Sequence, residues 1–332
     1  MRRRSVWTVV ALTAFAGASL GRADVFTGTL YYTTFAGGTN VWDVQYSYND
    51  ATHAFSLTNN QGLAALAGAD GIIFDAGGNL LVGGQGSNNV FQGTGAGGPW
   101  YSATPGDGNS YHLALSPDGK TVYTSNFRGP LDVLPIGTTP GSIQNGTAHA
   151  VTAASGNDTG VTQLAFAPNG NVYYVDGNPN GHGDLGLFNL TTDQTTELYG
   201  DVVPAHGLIY DNYSGLITMF GDGFTGTIDP NHGNALKTSS VQFACDFDQG
   251  ATDGHGHALV AGCNGITLLD YSHSGDITHP DYNTTIFGFG NIDDVAPLSG
   301  LGSSTPEPGY IALIGVGLPV LFYFNRRRSQ VK

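Results

Sequence analysis

The sequence predicts an all-β fold. Three observations carry that prediction: a composition poor in helix formers, a recurring strand–turn–strand pattern, and two chain ends that complement each other. Of 332 residues 51 are Gly, 2 are Met and only 11% are charged. Glutamate occurs only at Glu197 and Glu307, and lysine only at Lys120, Lys237 and Lys332. The residues that favour helices are therefore scarce, while Asp, Gly, Asn and Thr serve turns and strands. A helical bundle and an α/β dinucleotide-binding enzyme are excluded on this ground. Disorder is excluded too, because 40% of the chain is apolar and 11% aromatic.

Taken in order, the chain begins with three strand-like segments, 28–35, 40–48 and 54–58. A repeated unit follows: an apolar alternation, a turn with Asp, Asn or Gly, and a second apolar run. It reads Gly71-Ile72-Ile73-Phe74-Asp75-Ala76-Gly77-Gly78-Asn79-Leu80-Leu81-Val82 in its first copy. The second is His112-Leu113-Ala114-Leu115-Ser116-Pro117-Asp118-Gly119-Lys120-Thr121-Val122-Tyr123. The third runs from Gln163-Leu164-Ala165-Phe166 through Pro168-Asn169-Gly170 to Val172-Tyr173-Tyr174. Looser copies start at Gly207 and at Ala244. Pro presets φ in such turns and Gly accepts positive φ, so each copy is a hairpin.

From Ile72 to Ile292 there are five steps over 220 residues, 44 per step, the length of a four-stranded propeller blade. Two further strands fit after each hairpin, such as 185–190 and 195–199. The N-terminal segment supplies three strands without an inner one, and Ile292-Asp293-Asp294-Val295-Ala296 supplies an inner strand without partners. Joining them closes a ring and removes the exposed sheet edges. The reading is a six-bladed β-propeller over residues 24–300, with seven blades as the alternative. The Pro-Asp-Gly-Lys turn and the period resemble the NHL, YVTN-repeat and gluconolactonase-like propellers. That resemblance concerns architecture, and propellers host unrelated activities.

Both ends read as addresses. Arg2–Arg4 precede an apolar run, 6–20, and Gly21-Arg22-Ala23 places small residues for cleavage before Asp24, so residues 1–23 form a secretory signal peptide. Arg3-Arg4-Ser5-Val6-Trp7 partly resembles a twin-arginine signal, although an ordinary Sec signal is favoured. Residues 301–309, with Pro306-Glu307-Pro308, form a linker. The apolar segment 310–325 forms a transmembrane helix, and 326–332, with Arg326, Arg327 and Arg328, a basic cytoplasmic tail. Fifteen apolar residues, 310–324, span roughly 22 Å against a core of ~30 Å, and flanking residues and snorkelling arginines make up the difference. This three-part order resembles the PEP-CTERM sorting signal. The resemblance implies processing by an exosortase in a Gram-negative bacterium that makes exopolysaccharide. The protein would be anchored in the inner membrane until processed, then reach the cell surface or matrix.

Between Asp24 and Thr305, three basic residues (Lys120, Arg128, Lys237) face 25 acids, a net of −22. Such a surface repels nucleic acid and anionic lipid and attracts cations. No nucleic-acid partner is expected.

The starts of the inner strands ring one mouth of the channel. The residues there are Asp70, His112, Gln163, His206, Phe243, and Asp293 or Asp294. Carboxylates and imidazoles at one mouth could hold a divalent metal or polarise a substrate, or simply fill a narrow wet channel. A gluconolactonase-like enzyme would need a channel Glu, with Asn and Asp, around its metal. Glu197 is the only glutamate of the propeller and falls in an outer strand, so lactonase activity is not expected. Asp253-Gly254-His255-Gly256-His257 places three metal-ligand types at alternate positions, with Asn180-Gly181-His182-Gly183-Asp184 as an echo, but a solvated hairpin tip is the favoured reading. The Asp excess allows weak, diffuse Ca²⁺ binding, although no spaced EF-hand loop occurs. Trp42, Trp100 and Tyr101 could stack on sugars, or serve blade packing. Cys245 and Cys263, on consecutive strands of an exported protein, are expected to form a disulfide, although repeat register puts Cys245 nearer Ala261.

Two function classes stand. The first, and favoured, is a non-catalytic surface or matrix protein whose propeller binds a polysaccharide or another protein. The second is a secreted metal-dependent hydrolase or lyase acting at the channel mouth.

Overall fold

One type of tight turn, used repeatedly, sets the architecture of the computed structural model. At Ser116–Lys120, Gly119 takes φ +70, its N–H donates to the Ser116 carbonyl (2.9 Å), and Asp118 Oδ1 accepts the Lys120 N–H (3.1 Å). Gly170 repeats this with φ +89 and a 3.0 Å bond to the Ala167 carbonyl, and Gly78 with φ +82 and 3.1 Å to Asp75. Each turn joins the inner strand of a blade to its second strand. The structure describes residues 24–35, 37–85, 87–94, 98–108, 110–124, 130–155, 160–176, 183–202, 205–239 and 247–296. These form an all-β, six-bladed propeller without helix.

Blade 1 comprises β4 (Ala69–Phe74), β5 (Leu80–Gly84), β6 (Val90–Gly93) and β7 (Trp100–Ala103). Blade 2 comprises β8 (Leu113–Leu115), β9 (Thr121–Thr124), β10 (Leu131–Pro135) and β11 (Thr147–His149). Blade 3 comprises β13 (Gln163–Phe166), β14 (Val172–Asp176), β15 (Gly183–Asn189) and β16 (Gln194–Val202), with β12 (Thr152–Ser155) added in parallel beside β16. Blade 4 comprises β17 (Ala205–Asp211), β18 (Leu216–Gly221), β19 (Phe224–Asp229) and β20 (Ala235–Thr238). Blade 5 comprises β21 (Phe247–Thr252), β22 (His257–Gly262), β23 (Gly265–Asp270) and β24 (Tyr282–Phe287).

Blade 6 is built from both ends of the propeller. Its inner strand is β25 (Ile292–Val295), and β1 (Val25–Thr34), β2 (Val41–Asn49) and β3 (Ala54–Ala64) follow outwards. Tyr32 pairs with Val295 and Thr34 with Ile292, as the complementary ends of the sequence require. Inner strands start at 69, 113, 163, 205, 247 and 292, at steps of 44, 50, 42, 42 and 45 residues. The long step is the one that contains β12, which covers the outer edge of blade 3.

Six buried apolar clusters fill the described core, one between each pair of neighbouring blades. Between blades 5 and 6, Leu30, Tyr32 and Val44 meet Leu259 and Ile266; between blades 1 and 2, Ile73 and Leu81 meet Leu113 and Val122. Strands two-sidedly covered in this way bury nearly every residue, as in LLVGG of β5 and HALVAG of β22. The signal peptide, the Pro306-Glu307-Pro308 linker, the apolar segment and Arg326–Arg328 lie outside the described residues. No helix of the described residues is long and apolar enough to cross a membrane.

Candidate active site at the channel mouth

Each residue at the mouth sits at or just before the start of an inner strand, so the ring itself brings distant positions together. Asp70 starts on β4, His112 precedes β8, His206 is on β17, Asp248 on β21, and Asp293 and Asp294 on β25. Two glycines make the crowding sterically feasible. A Cβ on Gly71 would lie 2.4 Å from the Tyr111 carbonyl oxygen and 2.7 Å from His112 Cα, and one on Gly207 would lie 2.5 Å from the Asp248 carbonyl oxygen. Gly71 also donates its N–H to the Tyr111 carbonyl at 3.1 Å, tying blade 1 to blade 2 beside the mouth.

The deeper layer is Asp70, His112 and Asp294, all buried, with one ligand-type atom from each within 4.8 Å of the others. His112 Nδ1 is 3.0 Å from Asp294 Oδ2. The outer layer is part-exposed: Asp248 and His206 expose 26% and 22% of their side chains, and Asp248 Oδ1 lies 3.2 Å from His206 Nδ1. Asp248 Oδ1 also lies 3.6 Å from His112 Nε2, so it connects the two layers. Asp293, next to Asp294 on β25, brings a further carboxyl near enough to Asp248 to feel its charge. Thr33 of β1 fixes the frame: its hydroxyl donates to the Asp70 carbonyl (2.7 Å) and accepts the Asp294 N–H (3.1 Å).

The electrostatics follow from four carboxylates sharing two imidazoles. Burial, then the neighbouring Asp294 charge, holds Asp70 well above the usual carboxylate range. Burial, then the charges of Asp70 and Asp248, does the same for Asp293. Asp294 is raised by burial, against the opposing charge of His112. Burial also works to raise Asp248, but the bond from His206 and the charge of His112 outweigh it and bring the carboxyl down to about 2. Burial opposes the charge on His112, yet Asp294, Asp248 and Asp70 together push its imidazole up to about 10. The mouth thus sets His112, its imidazole pushed up, among carboxyls that burial and mutual repulsion also push up, with Asp248 the one brought down.

Of the positions the sequence puts at the mouth, Asp70, His112, His206, Asp293 and Asp294 do converge. Gln163 stays apart from the network: its Oε1 accepts the Leu208 N–H at 2.7 Å and joins blade 3 to blade 4. Phe243 lies outside the described residues, and the fifth blade contributes Asp248 instead. Sequence alignment of the repeats places that inner strand too early because Asp248-Gln249-Gly250 looks like a turn. In the structure these residues belong to β21, and a register shift between Phe247 and Gly250 accommodates them.

The true turn of blade 5 is the Asp253–His257 segment, the other candidate metal site. Asp253 Oδ1 accepts the N–H groups of His255 (2.7 Å) and His257 (3.1 Å), and His257 Nδ1 sits 2.7 Å from Asp253 Oδ2. Blade 1 uses the same device: Asp75 Oδ1 accepts Gly77 and Asn79 N–H groups at 2.8 Å, and Asn79 Nδ2 donates to Asp75 Oδ2 at 2.8 Å. His257 therefore does in blade 5 what Asn79 does in blade 1, as a buried turn clamp. His255 turns away and lies against Phe26, ring centroids 5.7 Å apart. His182 lies outside the described residues.

Glu197 sits on β16, opposite Gly186 and far from the inner strand. Trp42 stacks on Tyr32 and packs between blades 5 and 6, whereas Trp100 packs between blades 6 and 1. They form no common sugar platform. Cys263 is disulfide-bonded, and the sequence holds one other cysteine, Cys245, which lies outside the described residues. Further along the channel, a cavity of about 300 Å³ is lined by the inner strands of blades 1 to 5, with Phe74, Leu115, Phe166 and Tyr210 giving it an apolar wall.

No family model matches the chain, and no curated protein matches it. Solved structures do. The PQQ-bound aldose sugar dehydrogenase of Streptomyces coelicolor is similar with a TM-score of 0.52 at 13% identity, over 84% of this chain and 91% of that one. The virginiamycin B lyase of Staphylococcus aureus is similar with a TM-score of 0.50 at 10% identity, over 80% and 89%. A Bacteroides caccae protein matches with a TM-score of 0.50 at 13% identity, over 82% and 99%. At such identities the likeness establishes the propeller fold and leaves the chemistry of the mouth to be argued from its own residues.

Proposed function

We propose that this protein is an exported cell-surface or matrix protein whose propeller is a binding module, working through the acidic mouth of its channel. One observation supports the binding role above others: five blades contribute side chains to one two-layered cluster, part-exposed above and buried below. The export half of the proposal rests on the sequence order of signal peptide, Pro306-Glu307-Pro308, apolar segment and Arg326–Arg328. In this reading an exosortase releases the tail, and the module then engages exopolysaccharide or another surface protein.

The test is affinity electrophoresis of the purified protein through gels containing a cationic amino-sugar polymer or a neutral glucan. Retardation by one of them, lost in Asp248→Asn and His206→Ala, is the expected result. Retardation unchanged by both variants would remove the mouth from the binding site.

A second reading, a hydrolase or lyase, is favoured by one specific contact. His206 Nδ1 lies 3.2 Å from Asp248 Oδ1, the arrangement in which a carboxylate orients an imidazole as a general base. Turnover of a polysaccharide that disappears in His206→Ala, with binding retained, would establish that reading over the first.

A further inference from the structure

The geometry points to a divalent-cation site at the floor of the mouth, formed by Asp70, His112 and Asp294 with Asp248 above them. The inference rests on the mouth being the working end of the propeller and adds what it binds first. Three observations on the chain lead there.

The first is the donor set. One ligand-type atom each of Asp70, His112 and Asp294 lies within 4.8 Å of the others, and all three residues are buried. Small shifts of side chains would bring such atoms to the roughly 2.0–2.2 Å at which Zn²⁺ holds imidazole nitrogen and carboxylate oxygen. The second is an orphaned atom. Asp294 is fully buried, and while one oxygen faces His112, Oδ1 has no hydrogen-bond partner. A buried carboxylate oxygen without a donor costs free energy that a cation would offset. The third is charge. With every acid ionised, Asp70, Asp248, Asp293 and Asp294 would carry four negative charges against at most two positive ones on His112 and His206. The deficit matches one divalent cation.

The donor chemistry narrows the ion. Ca²⁺ and Mg²⁺ favour all-oxygen shells, whereas an imidazole among carboxylates suits Zn²⁺ and Mn²⁺. His112 has the geometry of such a ligand: an ion taken between Nδ1 and the Asp294 carboxylate, whose Oδ2 is 3.0 Å away, would leave Nε2 facing Asp248 at 3.6 Å as its outer partner. The site is therefore assigned to a transition-series divalent ion. A second group, Asp270, His273 and Asp281, also clusters. There Asp281 Oδ2 already accepts the His273 and Ser274 N–H groups, and Asp270 accepts from Tyr48 and Ser272. That group is satisfied without an ion and serves as the internal control.

The experiment is isothermal titration of the chelator-treated full chain with Zn²⁺, Mn²⁺ and Ca²⁺, with no polysaccharide present. One equivalent of Zn²⁺ or Mn²⁺ is expected to bind at least tenfold more tightly than Ca²⁺. Asp70→Asn and Asp294→Asn, both isosteric, should each weaken that binding at least tenfold, and His273→Ala should leave it unchanged. Thermal melting of each variant confirms folding. No saturable binding, binding untouched by the two Asn variants, or binding lost in His273→Ala would overturn the site. Polysaccharide retardation measured in chelator tests the binding module separately, so either proposal can fail alone.

Discussion

His112 and Asp294 stand 182 residues apart in the chain and 3.0 Å apart in the structure, Nδ1 to Oδ2. The contact exists because β25 closes the ring beside β1, which brings the last inner strand next to the first. His112 is thereby the principal counter-charge of the buried acids, while Asp70 is one acid among several. Their substitutions should differ in size of effect. His112→Leu strands the carboxylates and is expected to cost about 3–5 kcal/mol. Asp70→Asn replaces a carboxyl whose charged form burial and Asp294 already disfavour, and should cost less than about 1 kcal/mol in metal-free protein, or stabilise it. Urea unfolding of both variants checks this; equal losses would contradict the charge argument.

Ring closure itself can be tested by truncation. Tyr32 pairs with Val295, and Thr33 bonds to both Asp70 and Asp294 across the seam. Ending the chain after residue 308 keeps β25, and such a protein should melt cooperatively at the temperature of the full chain. Ending it after residue 291 removes β25 and opens the ring, leaving β1 and the Leu30–Tyr32 cluster uncovered. Circular dichroism should then show loss of the cooperative transition. A truncation at 308 that fails to fold would mean that the tail belongs to the propeller.

Two glycine substitutions separate contact from conformation. Gly71→Ala places a methyl 2.4 Å from a backbone oxygen of the next blade, which cannot move without shifting His112. The expected cost is about 1–3 kcal/mol or more, the range for overpacking. Gly233 has φ +67 but nothing within 4 Å, so Gly233→Ala carries only a conformational cost of about 1–2 kcal/mol. Cation affinity should fall in Gly71→Ala and stay constant in Gly233→Ala, as read by titration.

Asp132 of β10 supplies a pH signature away from the mouth. It is fully buried, and burial, followed by the bond and charge of the Asp107 carboxyl, pushes its own carboxyl up to about 7. In the unfolded chain it titrates near 3.8. Between these values the folded state binds more protons than the unfolded one, so this residue's contribution to stability falls as pH rises through the window. Asp132→Asn removes that term. The variant's Tm minus the wild type's should therefore grow from about pH 4 to about pH 7 and then level off. A difference constant with pH would show that Asp132 is ionised throughout.

Local sequence carries the strands, the turns and the number of blades, because each depends on near neighbours. Pro117-Asp118-Gly119 makes its turn with bonds inside five residues, and the 44-residue period survives a 50-residue step. Even ring closure is legible, since three partnerless strands at one end need the single inner strand at the other. Five of the six residues of the acidic network, all but Asp248, are legible for the same reason: they follow from the starts of regular repeats. Only the tertiary structure decided the rest. Asp248-Gln249-Gly250 has the composition of a turn, and what makes it strand is pairing across a register shift with β22 and packing against blade 4. Likewise Asp253–His257 reads in sequence as a solvated hairpin tip with metal-ligand types, but His257 is buried and its bond to Asp253 makes the pair a turn clamp. Gln163, placed at the mouth by its repeat, is taken out of the network by the Leu208 N–H of the next blade. Local sequence specifies conformation through bonds a few residues long, whereas a site shared by five blades is set by contacts whose partners are chosen only when the ring closes.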